Sequence, residues 1–429
     1  MTSRMVGRLA LVVAFVATFG IFAERVSGPG LHDPPPGGDE RDYEALAFNL
    51  WKGRGFGYYW NDPEWRAPYL ADPSTAGAVP EGESGYNPTA YRPPAFPFLW
   101  AITYATVGRD FGAIRFVNAA LMAAATTCAA AIAMTMGGLA AALVTAIVLV
   151  LIPDLSLFAH ERLTEALATF LVSLLAWLWT SASTREPSVG RALASGAVLG
   201  LLILARSIFV IWLPIALLMP SKRPSPGGTR RSVAAAYCLA ACLLVAGPWW
   251  IRNIAVTGAF MPMGTQGSIN LPAGFSQRAL DNEGRWRSNS GDGAQEIEAS
   301  GVNPFSIDYE VRLGQHRAGL ARAWMRDHPG DVVRLMGLHV WQELRTRRGH
   351  TDWTWLLPPF LLALVYFRRH PASVPAATIF GATIVSIALT WGVTGRFLIP
   401  VQPLAVAVAS AMGVSLAAQV IRTIGRRST

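Results

Sequence analysis

The residues best suited to chemistry are acids and arginines scattered along an otherwise greasy chain. Asp39 and Glu40 open the stretch Gly38-Asp39-Glu40-Arg41-Asp42-Tyr43, just after the first apolar run. Glu161 and Glu165 lie one helical turn apart in His160-Glu161-Arg162-Leu163-Thr164-Glu165, at the mouth of a later run. Carboxylates at membrane depth are costly unless they are paired or face a wet cavity, which makes each a functional candidate. Their ordinary readings are solvated surface for the Asp39 run and a helix-opening cap for Thr164 and Glu165. Arg92 precedes two prolines, Arg206 separates two apolar half-spans, and Arg396 lies in Gly395-Arg396-Phe397-Leu398-Ile399-Pro400. A permanently charged guanidinium in such a place needs an anionic partner or a water-filled cavity, unless it snorkels to the interface. Arginines converging near a carboxylate suit an anionic headgroup such as a phosphate. The seven His show no metal-ligand spacing, so the sequence requires no cofactor and leaves a divalent metal as an open possibility.

These groups need a membrane scaffold to place them. Of 429 residues, 52% are hydrophobic and 15% charged, with 15 Trp, and the mean hydropathy is positive, which is the composition of a polytopic membrane protein. The net charge of +9 comes from short basic clusters between apolar runs, the pattern of cytoplasmic loops and not of a nucleic-acid surface. Cys128, Cys238 and Cys242 all fall inside apolar runs, so they offer the polar loops neither a disulfide nor a metal framework. Arg4 and Arg8 precede an apolar run to Ala23 with no small-residue cleavage site before Glu24, which predicts an uncleaved first span.

Apolar stretches occur near 9–23, 94–107, 116–134, 137–153, 166–182, 192–205, 207–219, 232–254, 353–367, 373–391 and 397–419. Basic clusters at Arg4 and Arg8, Arg185 and Arg191, Lys222 to Arg231, Arg368 and Arg369, and Arg422 to Arg427 mark cytoplasmic segments. An odd number of crossings must then separate the first external loop from Arg185, and four stretches lie between them. The shortest, 94–107, opens on prolines and is expected to lie along the outer surface. The same counting splits 192–219 at Arg206-Ser207.

The expectation is an all-α protein with about ten transmembrane helices, juxtamembrane helices and two large external segments. Residues 1–254 form a transmembrane module that includes the first external loop (24–115), 255–352 a second external segment, and 353–429 the C-terminal spans. Both external segments and the candidate charges share the outer side. Tyr43, Leu46, Ala47, Leu50 and Trp51 fall at helical spacing and predict a short amphipathic surface helix over 40–52. Gly53-Arg54-Gly55-Phe56-Gly57 reads as the bend after it and not as a nucleotide loop, since no buried strand precedes it. The second segment starts loop-like through 260–267 and turns helical over 307–327 and 330–345.

Asp39-Glu40-x-x-Tyr43, Leu50-x-x-Gly53-x-Gly55-Phe56, Arg92-Pro93-Pro94, Arg115-Phe116-x-Asn118, Thr164-Glu165-Ala166-Leu167, Pro248-Trp249-Trp250-Ile251-Arg252-Asn253 and Arg396-Phe397-x-x-Pro400-x-x-Pro403 follow in that order. The series resembles the membrane glycosyltransferases of the GT-C fold, in particular the bacterial protein O-mannosyltransferase and lipid A aminoarabinose transferase branch. Where several of those proteins have Asp at the second acidic site, this chain has Glu165. The resemblance implies a multi-pass enzyme of the inner (cytoplasmic) membrane that moves a sugar from a polyprenyl-phosphate donor to a lipid, glycan or protein acceptor at the outer face. It implies Asp39, Glu40 and Glu165 as catalytic candidates, with Asp39 as general base in an inverting transfer and Asp42 a bystander on the same helix. Arg92, Arg206, Arg396, Tyr43 and Glu161 are then substrate-binding candidates, Glu161 and Glu165 both remaining eligible as the second acidic site. Two other readings stay open: a transporter or flippase of lipid-linked sugars, and a scaffold that keeps the fold without the chemistry.

Overall fold

The computed structural model describes residues 3–80, 85–184, 186, 188–218, 231–287, 293–345, 353–393 and 395–427. Arg185, Lys222, Arg223 and Arg230, expected on the cytoplasmic side, lie outside the described residues. The chain is mostly helical; among the described residues one sheet forms, pairing Gly57–Tyr58 antiparallel with Asn87–Pro88. Among the described residues five helices are long and apolar enough to cross a membrane: Met5–Val26, Ala113–Leu151, Glu165–Ser183, Arg231–Thr257 and Ile399–Ile424. Shorter apolar helices, Ala95–Val107, Val189–Ala205, Ser207–Leu218, Trp353–Tyr366 and Ser373–Ala388, accompany them. This is an all-α, multi-pass membrane protein.

The breaks fall where the sequence withdraws helical geometry. Gly138, at φ +77, turns the long run Ala113–Leu151 into two helices, the boundary between the two apolar stretches read there. Arg206 is extended (φ −145) and divides Val189–Ala205 from the 3₁₀ stretch Ser207–Leu218, which carries Pro214. Gly196 and Gly200, one turn apart, let that first helix close on Arg231–Thr257; a Cβ at Gly196 would meet the Cys238 carbonyl oxygen at 2.0 Å.

On the polar side, the helix Gly38–Trp51 departs from the expected amphipathic surface helix, being covered over Tyr43–Asn49. An aromatic cluster of Phe48, Trp60, Trp65 and Tyr69 packs on part of it, and Ala95–Val107, with Phe96, Trp100 and Tyr104 buried, packs beside it. Between them Glu44, with no exposed surface, accepts hydrogen bonds from Trp65 Nε1 (2.6 Å), Tyr69 Oη (3.0 Å), Tyr104 Oη (2.9 Å) and Arg109 Nε (3.0 Å). Four donors make that burial tolerable.

The 255–352 segment is more helical than expected. Gly264–Gly274, read as loop at its start, is a helix lying against Ile307–Asp327, and Pro329–Leu344 packs on Ser373–Ala388. Helices over 307–327 and from about 330 were anticipated and are present.

Candidate active site

The sequence builds the site from chain ends and turns, not from helix middles. Gly37 (φ +129) and Gly38 (φ +59) follow the proline run and swing the chain into Gly38–Trp51, leaving Asp39 in its first turn. There it lies near the positive end of the helix dipole. Asp39 and Asp42, one turn apart, hold Arg92 between them: Arg92 Nη2 donates to Asp39 Oδ1 and to Asp42 Oδ2, each at 2.7 Å, and Nε to Asp42 Oδ2 at 3.3 Å. The Arg92 side chain is 6% exposed and lies over the rings of Tyr43 and Tyr91. Asp42, expected to be a bystander, is instead the closer-fitting partner of this buried cation, and it also accepts from Arg41 at 2.8 Å.

A second ion cluster adjoins the first. Glu165 opens the helix Glu165–Ser183 and is fully buried. Its Oε1 accepts from Arg396 Nε (2.8 Å), lies 2.7 Å from Arg396 Nη2, and accepts from Arg206 Nη1 (3.1 Å); Oε2 has no hydrogen-bond partner. Arg396 Nη1 stands 3.7 Å from Asp39 Oδ2, so one guanidinium touches both carboxylates. Arg206 lies over the Phe397 ring. Three arginines and the carboxylates Asp39, Asp42 and Glu165 thus form one continuous network.

These groups border a cavity of about 770 Å³, within the range of small-molecule sites. Asp39, Glu40, Tyr43, Arg92, Arg206 and Arg396 line it, together with Gln266, Asn270, Trp286, Tyr309 and Arg317. Of the eight residues singled out by sequence, six face this space. Glu165 reaches it only through Arg206 and Arg396, and Glu161 is not among its lining residues, its carbonyl accepting from Asn118 Nδ2 at 2.8 Å. Glu40 lines the cavity and pairs with Arg162 at 3.5 Å.

Sequence reasoning passed over Arg162. It is 1% exposed and donates to the carbonyls of Phe111 (2.9 Å), Leu31 (3.2 Å) and Asp33 (2.8 Å), fixing the approach to Asp39. A charge beside Glu161 at the mouth of a span was its only signal. Arg252, from the Trp-Trp-Ile-Arg-Asn motif, donates to the carbonyls of Thr89 (2.5 Å) and Phe56 (2.9 Å) and so ties down the short hairpin behind Arg92.

Burial pushes the Asp39 carboxyl up, but Arg92 and Arg396 outweigh it and leave its pKa below the ordinary carboxylate value. Tyr43 is pushed up to about 12, chiefly by burial, so its hydroxyl keeps its proton at neutral pH. The donor set tests poorly for a resident divalent cation: Asp39 and Glu165 are both claimed by guanidiniums. Among the described residues no group of three or more His, Cys, Asp or Glu stands together to hold a metal.

No family model matches the chain, and no curated protein does. Solved structures do. ArnT from Cupriavidus metallidurans bound to undecaprenyl phosphate aligns at 15% identity and a TM-score of 0.54, over 94% of this chain and 60% of that one. The archaeal oligosaccharyltransferase AglB from Archaeoglobus fulgidus, in complex with an inhibitory peptide and a dolichol-phosphate, aligns at 13% and 0.52, over 99% and 52%. The Archaeoglobus fulgidus oligosaccharyltransferase in complex with Zn and sulfate aligns at 14% and 0.54, over 96% and 50%. The chain therefore spans half to three-fifths of the length of these structures. What they share with it is the fold, that of the GT-C membrane glycosyltransferases.

Proposed function

We propose that this GT-C-fold chain is a glycosyltransferase that takes a sugar from a polyprenyl-phosphate carrier and gives it to an acceptor at the outer face of the cytoplasmic membrane. The observation that carries this reading is the placement of Asp39, 39% exposed on the cavity, beside two arginines that also line it. A sugar linked through phosphate already has a good leaving group, so the reaction needs a stronger nucleophile and a home for the departing charge. Asp39, held below the usual carboxylate range by Arg92 and Arg396, is ionised at neutral pH and can take the acceptor's proton as Arg396 turns to the phosphate.

In the proposed reaction the acceptor's hydroxyl or amine attacks the anomeric carbon in line with the phosphate, inverting it. The carbon–oxygen bond to phosphate breaks with its electron pair going to the carrier, and the acceptor's proton passes to Asp39. The phosphate charge is taken up by Arg396, Arg206 and Arg92, the last also holding Asp39 in line. Arg396 is the best placed to change partners: its side chain is 25% exposed, the most of the three, and its Asp39 contact is long at 3.7 Å. Glu165 orients the arginines and does not touch substrate. Gln266, Asn270, Trp286 and Tyr309, which also line the cavity, offer amides and aromatic faces to the acceptor.

The test is incubation of membranes carrying this protein with a panel of labelled polyprenyl-phosphate sugars, followed by identification of the labelled product. Transfer of label to a new molecule is expected, and to be lost with Asp39→Asn. Label that changes membrane side without changing molecule would replace this reading with the transporter one.

A further inference from the structure

Two carboxylates that the proposed reaction does not use, one buried and one half-buried, come from the 255–352 segment. Glu343, near the end of Pro329–Leu344, is 1% exposed. Its Oε1 accepts the amide N–H of Val393, and its Oε2 accepts that of Phe397 at 3.1 Å. Arg396 lies between those two amides, in a turn where Gly395 adopts φ +93. Glu310, on Ile307–Asp327, accepts the amide N–H of Ala90 at 3.0 Å and the Thr89 hydroxyl at 2.6 Å, and also the hydroxyl of Thr265. Arg92 is two residues beyond Ala90. Each carboxylate therefore grips the backbone of a short irregular segment that ends in an arginine of the cavity.

The chemistry of the grip is specific. Glu343 satisfies two amides of one loop with its two oxygens, which fixes the loop's orientation as well as its position. Both clasps adjoin the cavity directly, since Tyr309 precedes Glu310 and Val393 is itself a Glu343 partner, and both line the wall. Elsewhere the Arg396 turn is held to the external segment by the Trp286 amide, which donates to the Gly392 carbonyl at 3.2 Å.

We propose that Glu310 and Glu343 are positioning residues that set Arg92 and Arg396 at the spacing a carrier phosphate requires, coupling the 255–352 segment to the donor site. This rests on the reading of the cavity as a polyprenyl-phosphate site. Displacement of either loop by a fraction of an ångström changes the gap into which the phosphate fits, without removing any group that touches it.

The experiment compares Glu343→Gln, Glu310→Gln and Glu343→Asp with the wild type, as full-length purified protein. Amide hydrogen exchange at 391–398 and 89–93 reports the clasps directly, and binding of undecaprenyl phosphate reports their consequence. Glu343→Gln, with one acceptor oxygen for two amides, should speed exchange at 391–398 and leave 89–93 protected. It should weaken undecaprenyl-phosphate binding about tenfold or more and raise the donor KM more than it lowers kcat. Glu343→Asp, which keeps both oxygens, should recover part of the affinity. Glu310→Gln should show the converse exchange pattern with a similar loss of affinity. Faster exchange with unchanged affinity would overturn the proposal and leave the clasps as fold stabilisers. No undecaprenyl-phosphate binding by the wild type would overturn the donor reading itself, with the exchange pattern still showing whether the carboxylates hold the loops.

Discussion

Asp39→Asn and Asp42→Asn make a paired test, because the two carboxylates share one arginine yet stand in different surroundings. Asp39 is 39% exposed, and Arg92 without it retains two contacts to Asp42, at 2.7 and 3.3 Å. Its loss should cost about 1 kcal/mol of stability or less. Asp42 is 13% exposed against an Arg92 that is 6% exposed, so its loss leaves a buried cation half-paired, at a cost of about 3 kcal/mol. Turnover should reverse that order. Removing a positioned base lowers the rate by about 100- to 10,000-fold, or roughly 3 to 5 kcal/mol on the barrier. Asp39→Asn should therefore melt close to the wild type in lipid nanodiscs and transfer almost no labelled sugar, with donor affinity largely kept. Asp42→Asn should melt earlier and keep more of its transfer below its melting point. Retention of more than about half of wild-type transfer by well-folded Asp39→Asn would refute the base assignment.

Glu44→Gln removes the charge from the fully buried acid that serves Arg109 and three aromatic donors, and should destabilise the fold by about 3 to 5 kcal/mol, read as a lowered melting temperature. A cysteine at exposed Ser300 should react with a membrane-impermeant maleimide from outside intact cells; reaction only after the inner face is opened would overturn the outer-face placement of 255–352. Burial, opposed by the amides of Val393, Phe397 and Gly395, raises the Glu343 carboxyl to about 7 from 4.5. A raised carboxyl binds its proton more tightly when folded, so its stabilising contribution is complete below about pH 4.5 and is lost as pH rises through about 7, a change of about 3 kcal/mol. Melting between pH 5 and 8 should accordingly fall more steeply in the wild type than in Glu343→Gln, and parallel curves would refute this.

Asp39, Arg92, Arg206 and Arg396 were legible because charge in a greasy context is expensive and stands out wherever it occurs. Their pairing was not, since Arg396 and Glu165 are 231 residues apart and nothing local marks one as the other's partner. Glu44, Glu310 and Glu343 escaped notice for a related reason. Each sits in a helix where an acid reads as solvated surface, and only the tertiary fold covers it. The helix Gly264–Gly274 was hidden by composition: its glycines and Pro272 argue for loop, and packing against Ile307–Asp327 overrides them. The break at Arg206 could be read in advance, because basic residues on both flanks of 192–219 require that run to cross twice.

The matched ion network has a consequence for selectivity. Arg92, Arg206 and Arg396 are each already answered by Asp39, Asp42 or Glu165, so the empty cavity carries little surplus positive field. Loose inorganic phosphate or sulfate must displace a carboxylate before it gains a guanidinium, and has nothing else to offer in return. A carrier whose long hydrocarbon tail is buried among the apolar helices brings that further favourable energy with it. On the proposed reading, a pocket of this kind favours an anion that arrives from the lipid over the small anions of its surroundings.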